Sequence, residues 1–268
     1  MNRRVPLRGA RVLITGGASG LGRALAMHAA AASAEVVIWD LDGDAAQRAC
    51  DEITEAGGSA SWDALDVTNR FAVDASAKRA GAIDVVINNA GIVTGEWFLD
   101  APPEKIERTF HVNVLAMYWV TRAFLRGMIE RNTGCVVTIA SAAGLLGVAK
   151  QTDYSASKFA AVGFTESLRA ELRTQRTSVN TLTVCPFYIN TGMFDGVTSR
   201  FPLLLPILDV DTVARSVLRG IERGKPMLLM PPFAHVLPWV RLLPVRWQDV
   251  IADFFGINKS MDEFRGRR

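Results

Sequence analysis

The sequence predicts an α/β fold: a doubly wound, parallel, seven-stranded sheet with helices on both faces, in a single domain. Three observations carry this reading. Short apolar runs alternate with helix-like stretches over most of the chain, joined by short connections, and such alternation argues for a parallel sheet covered on both sides. The first apolar run breaks into a glycine-rich turn that leads straight into a helix-like stretch. The length of 268 residues and a hydrophobic content of 49% suit one large domain with a substantial core.

In chain order, strands are expected at 11–15, 35–39, 59–63, 85–88, 135–140, 178–184 and 227–230. Runs such as Val12-Leu13-Ile14, Val36-Val37-Ile38 and Val85-Val86-Ile87 are apolar without a break, as strands buried on both faces are. Helices are expected from near Gly20, Gly43, Asn69, Pro103, Asp153, Asp211 and Val245. No linker, repeat or second domain is visible. Within the single domain (1–268), segment 191–209 reads as a flap over the substrate and 231–268 as a C-terminal extension.

The glycine turn reads Thr15-Gly16-Gly17-Ala18-Ser19-Gly20-Leu21-Gly22. Strand, glycine turn and helix form the first unit of a dinucleotide-binding (Rossmann-like) fold: glycines let the backbone approach a pyrophosphate, and the helix N-terminus offers free N–H donors. The second strand ends at Asp40, where an acidic residue accepts hydrogen bonds from ribose hydroxyls and repels a 2′-phosphate. No Arg or Lys follows at 41 or 42, and Ser19 is not basic. NAD(H) is therefore expected over NADP(H).

Tyr154 and Lys158 stand four apart, on one face of a helix. A free phenol titrates near pH 10, and a fixed cation beside it favours the phenolate. With a serine hydroxyl close by, the pair could exchange a proton with an alcohol or carbonyl.

Together these motifs resemble the short-chain dehydrogenase/reductase family over nearly the whole chain. Thr15-Gly-x-x-x-Gly20-x-Gly22 resembles its cofactor turn, Asn88-Asn89-Ala90-Gly91 its signature after the fourth strand, and Asn113, Ser141, Tyr154 and Lys158 its catalytic tetrad. The resemblance implies that Gly16, Ser19, Gly20, Leu21 and Gly22 hold the pyrophosphate side of the cofactor. It puts Asp66 and Val67 at the adenine, and Asn89, Ala90 and Gly91 under its ribose. Pro186, Ile189 and Thr191 fall to the carboxamide end, and Lys158 to the nicotinamide ribose. It also implies that Asn113 holds a relay water behind Lys158, and that helices bearing Asn113 and Tyr154 pair between subunits, giving a homodimer or homotetramer.

One position departs from the pattern: Phe187 stands where the family usually has glycine, and it either walls the substrate pocket or fills core. Pro186-Phe187-x-x-Asn190-Thr191-Gly192 and the ending 256–267 resemble the branch of membrane-associated retinol dehydrogenases and lipid-droplet 17β-hydroxysteroid dehydrogenases. The apolar N-terminal anchor common in that branch is not seen before the first strand, so stable membrane residence is not expected.

The substrate region is apolar. Met193, Phe194 and the Leu203-Leu204-Leu205 run occupy the flap, and Leu145, Leu146 and Val148 follow the serine. These side chains either enclose a lipophilic alcohol or carbonyl, such as a retinoid, a steroid or a long-chain aliphatic, or pack on the sheet or a partner subunit. In the last segment Trp247, Val250, Ile251 and Phe254 share a helical face near Arg241 and Arg246, suited to packing or to peripheral membrane contact. A β-ketoacyl-thioester or small-carbonyl reductase, and a non-catalytic NAD-binding regulator, are the other readings.

A net charge of +3 with scattered Lys and Arg gives no case for nucleic-acid binding, and the C-terminal Arg265, Arg267 and Arg268 read as a solvated tail. Cys50, Cys135 and Cys185, and His28, His111 and His235, have neither metal nor disulfide spacing, so no metal is expected. Cys135 and Cys185 read as buried inert thiols. With no signal peptide after the basic Met1-Asn2-Arg3-Arg4, a cytoplasmic protein, at most peripheral to membrane, is expected.

Overall fold

Alternate side chains of the central strands point to opposite faces, and here both sets are apolar. In the computed structural model, which describes residues 4–266, this makes one parallel sheet: β1 (Arg11–Thr15), β2 (Glu35–Asp40), β3 (Ser59–Ala64), β4 (Val85–Asn88), β5 (Cys135–Ile139), β6 (Asn180–Pro186) and β7 (Met227–Met230). Met1 to Arg3, and Arg267 and Arg268 of the basic tail, lie outside the described residues. The strand order is β3-β2-β1-β4-β5-β6-β7. The chain runs outward from β1 to β3, then returns to place β4 on the other side of β1. A crevice opens above the strand ends where the direction reverses.

On one face Val12, Ile14, Val36, Ile38 and Val184 meet α1 (Gly20–Ala31), α2 (Gly43–Glu55) and α7 (Val210–Glu222). On the other, Leu13, Val37, Trp39, Val86 and Val136 meet α3 (Arg70–Ala80), α5 (Ala116–Glu130) and α6 (Thr152–Thr174). The three cysteines are free and buried. Burial pushes the Cys135 and Cys185 thiols up to about 12, in keeping with inert packing residues.

Boundaries differ from the sequence reading in two instructive places. The sixth strand begins and ends two residues later than expected, because β7 pairs with it as far as Pro186 opposite Met230. The helix expected from Pro103 is α4 (Pro103–Phe110), followed by a π turn over His111–Leu115 and then α5. Asn113 lies in that turn, and such bulges gather at functional sites. The last segment adds the short α8 (Leu237–Val240) and α9 (Val245–Phe254). No described helix is long and apolar enough to cross a membrane.

Candidate active site

β1 ends at Thr15, and the chain turns through the glycines into α1. Gly20 has φ +52°, a left-handed value that costs glycine least. A Cβ added at Gly22 would overlap the carbonyl oxygen of Gly16. Gly22 therefore lies beneath the turn rather than on the crevice wall, and its missing side chain lets α1 close against the loop.

Asp40 follows from the register of β2. One carboxylate oxygen accepts from Ala18 N (2.9 Å) and the other from Asp42 N (3.1 Å), so its position beside the glycine turn is fixed by backbone. Asp66 is held by its own turn, Oδ1 accepting from Thr68 N (2.9 Å) and Thr68 Oγ1 (2.7 Å). Asn89 acts as a strut. Its Nδ2 donates to the carbonyls of Thr15 and Gly16, both at 3.0 Å, while Asn89 N and Ala90 N donate to Thr15 Oγ1 at 3.0 and 3.1 Å. Sequence reasoning does not single out Thr15 as a site residue. Its hydroxyl ties the end of β1 to the end of β4.

The tetrad residues gather at the other end of the crevice. Asn113 Oδ1 accepts from Ile92 N (2.8 Å), and its Nδ2 donates to Ile92 O (2.9 Å) and Ser157 Oγ (3.0 Å). Lys158 Nζ donates to Ile139 O at 2.8 Å and lies 5.5 Å from the Tyr154 ring centre. The sequence reading has the Lys158 charge lowering the Tyr154 pKa. In the structure burial dominates and pushes the phenol up; the hydrogen bond from Ser141 acts against the rise, and Tyr188 adds to it. Burial also brings the Lys158 amine down to about 8. Burial disfavours the charged form of both groups, and the ammonium is turned to a carbonyl.

Behind Lys158 lies a cavity of about 10 Å³, walled in part by Asn113, Asn88 and Thr138. Among the described residues, Asn88 Oδ1 and Thr138 Oγ1 are buried without a hydrogen-bond partner. That polar space is near the size of a single water.

One continuous cleft of about 780 Å³ joins these groups. Gly16, Ser19, Gly20 and Leu21 wall one end with Asp40, Asp66 and Val67. Asn89, Ala90 and Gly91 form its middle, and Ser141, Tyr154 and Lys158 line the inner end beside Pro186, Ile189 and Thr191. Phe187, Met193 and Phe194 also line it, so the Phe187 ring walls the cavity. Of the three residues expected there after Ser141, Leu146 and Val148 face the cleft, but Leu145 does not: it packs on the core cluster around Met117 and Val162. The exception reflects the short helical turn over Ala142–Gly144, which sets the direction of the residues after Ser141.

Sequence reasoning missed several wall residues. Gln151 and Tyr188 stand close to the tyrosine, and Phe233, Val236, Val240 and Phe255 close the cleft from the C-terminal segment. No motif marks them, because they meet only through packing. Among the described residues, no group of three or more His, Cys, Asp or Glu side chains could hold a metal ion.

The family model for short chain dehydrogenases matches residues 10–200. Short-chain dehydrogenase/reductase family 16C member 6 of Bos taurus is 41% identical over 94% of this chain and 82% of its own length. Epidermal retinol dehydrogenase 2 of Mus musculus is 41% identical over 96% and 85%. Human 17-beta-hydroxysteroid dehydrogenase 13 is 36% identical over 91% and 82%. Among solved structures, a short chain dehydrogenase/reductase from Burkholderia phymatum in complex with NAD superposes with a TM-score of 0.80 at 28% identity, covering 93% of this chain and 96% of that one. A metagenomic short-chain oxidoreductase in complex with NADP gives 0.73 at 28% identity, covering 85% and 99%.

Proposed function

Because this chain belongs to the short-chain dehydrogenase family and is an oxidoreductase acting on CH–OH groups, we propose that it interconverts a lipophilic alcohol and its carbonyl with NAD(H). The observation that carries the proposal is the single cleft with two unlike ends. One end is cradled by a glycine turn and Asp40; at the other, apolar side chains such as Leu146, Val148, Phe187, Met193 and Phe194 line the cleft beside the Ser141 and Tyr154 hydroxyls. The named activities of the relatives, retinol and 17-beta-hydroxysteroid dehydrogenases, fall in the same chemical class.

The residues present fit the dinucleotide. The loop from Gly16 to Gly22 would hold the pyrophosphate against the N-terminus of α1, and Asp40 the adenosine ribose, where its charge disfavours a 2′-phosphate. When bound, NAD supplies the hydride acceptor for the carbinol carbon. Tyr154 takes the hydroxyl proton, and Ser141 hydrogen-bonds the same oxygen as its charge changes. Lys158 offsets the phenolate charge that burial otherwise disfavours, and the small cavity beside Asn113 gives its proton a way out through one water.

The same reading places the cleft mouth at a lipid surface. Val236, Leu237, Val240 and Ile251 line the cavity, while Leu242 (77% exposed), Trp239 (71%) and Trp247 (62%) from the same short segment face outward. Arg241 and Arg246 lie among them, as in segments that rest on anionic bilayers. Exposed Phe110, Leu115, Tyr118 and Phe159 on α4 to α6 leave a separate face for a second copy of the chain.

The test is NAD⁺ reduction by purified protein with retinol, hydroxysteroids, long-chain alcohols and short alcohols, repeated with NADP⁺. Turnover of lipophilic alcohols with NAD⁺ is expected, falling by about 10³ in Tyr154→Phe while NADH binding persists. Silence toward every alcohol with NADH still bound moves the assignment to a thioester reductase or a non-catalytic binder.

A further inference from the structure

Beside Tyr154 the cleft wall holds a deeply buried polar side chain that the reaction above does not use. Gln151 is fully enclosed and forms part of the wall. It is the residue just before α6, three ahead of Tyr154, and its side chain makes no bond to the helix's first turn.

Its amide is oriented by a chain of hydrogen bonds that runs one way. Ser260 Oγ lies 2.6 Å from the Ile257 carbonyl, which only accepts, so the serine donates there. The Tyr188 hydroxyl, 2.8 Å from Ser260 Oγ, must then donate to the serine. The Tyr188 oxygen in turn accepts from Gln151 Nε2 at 3.2 Å. This leaves Gln151 Oε1 as the free end, buried and without a partner among the described residues. Buried amide oxygens rarely stay unpaired in folded proteins.

We propose that Gln151 Oε1 accepts a hydrogen bond from a second hydroxyl or N–H of the substrate. The enzyme would then select, among apolar alcohols, those carrying a donor a few carbons from the reacting carbinol. The inference rests on the alcohol-oxidation reading. Ser141 and Tyr154 engage the reacting oxygen, and Leu146, Val148 and Met193 nearby on the wall offer no hydrogen bonds. A monoalcohol therefore leaves Gln151 unsatisfied, whereas a substrate with a second donor gains a bond in a site that excludes water. Sites built to hydrogen-bond a substrate group discriminate strongly against analogues that lack it. Phe194 packs between the Tyr154 and Tyr188 rings, 5.6 and 5.1 Å from their centres. The ligand reaches Gln151 by turning this ring aside.

Calorimetric titration of NADH-loaded protein tests the proposal, comparing a straight-chain monoalcohol with matching diols whose second hydroxyl sits on the next few carbons. Wild type should bind at least one diol about tenfold more tightly than the monoalcohol. Gln151→Met should lose that preference while binding NADH as before. Equal affinity of wild type for all the alcohols overturns the proposal, as does a preference that survives in Gln151→Met. Turnover measured in parallel separates the two readings. A diol preference without NAD⁺ reduction upholds the acceptor and removes the oxidation reading; monoalcohol turnover without any diol preference does the reverse. Binding of none of the alcohols overturns both.

Discussion

The two ends of the cleft are built by different means. The cofactor end is made of backbone and short side chains: the glycine turn, Asp40 held by Ala18 N, and Asn89 held on the carbonyls of Thr15 and Gly16. Its parts lie next to strand ends, where register fixes them to within a residue. The substrate end is made of large side chains from segments far apart in sequence. Tyr188, Phe194 and Phe264 form a run of ring contacts, and the Lys150–Asp262 ion pair (3.2 Å) ties the chain's last turns to the start of α6. A close-fitting backbone cradle tolerates almost no added atoms, whereas a side-chain wall can be repacked.

The largest expected effect comes from adding one methyl group to the cradle. Gly22→Ala drives a Cβ into the Gly16 carbonyl and toward the Asn89 amide. It should lower stability by about 3 kcal/mol and NAD affinity by about a hundredfold. Chemical denaturation and NADH fluorescence titration read both. Wild-type NAD affinity in this variant would break the contrast at its stronger side.

The substrate end should behave in the opposite way. Replacing Trp239, Trp247 and Phe254 with Ser changes three large exposed side chains, yet NAD affinity should stay within about twofold, since surface changes away from a site cost little. Sedimentation with anionic phosphatidylserine-containing vesicles should fall by about tenfold or more. Unchanged vesicle binding would remove the lipid surface from the proposal and leave these residues to subunit packing.

The same division governs what was legible in the sequence. Glycine spacing, the acid ending the second strand and the Tyr154–Lys158 interval are local patterns, and each maps directly onto a turn, a strand end or a helix face. The inner strands were legible for the same reason: runs such as Val85-Val86-Ile87 have no other place than a sheet buried on both faces. The π turn was not, because nothing in His111-Val112-Asn113 distinguishes one extra residue per turn from a regular helix. Leu145 and Leu146 are chemically alike, so only the path of the turn after Ser141 decides which faces the cleft. Gln151 and Tyr188 carry no motif, and their meeting depends on where Ser260 packs.

The smallest effect falls on the seam between the two ends, at Lys158. Its amine titrates near 8 in the folded chain against an ordinary value of 10.5, through burial first of all. Below pH 8 both folded and unfolded chains hold the proton, and keeping that charge buried weakens the fold by on the order of 3 kcal/mol. As pH rises from 8 to 10.5 the folded chain releases its proton while the unfolded chain keeps it, so this penalty is relieved and stability from this group increases. Lys158→Met removes the buried charge but leaves the Ile139 carbonyl without its donor, which offsets part of the gain. At pH 7 the variant should be more stable than wild type by about 1 kcal/mol net, and inactive. The advantage should shrink above pH 8, vanish within about one pH unit and reverse by pH 10.5, as measured by denaturant unfolding across that range. An advantage independent of pH would mean that Lys158 keeps its proton in the folded chain throughout that range, and that burial does not bring its amine down.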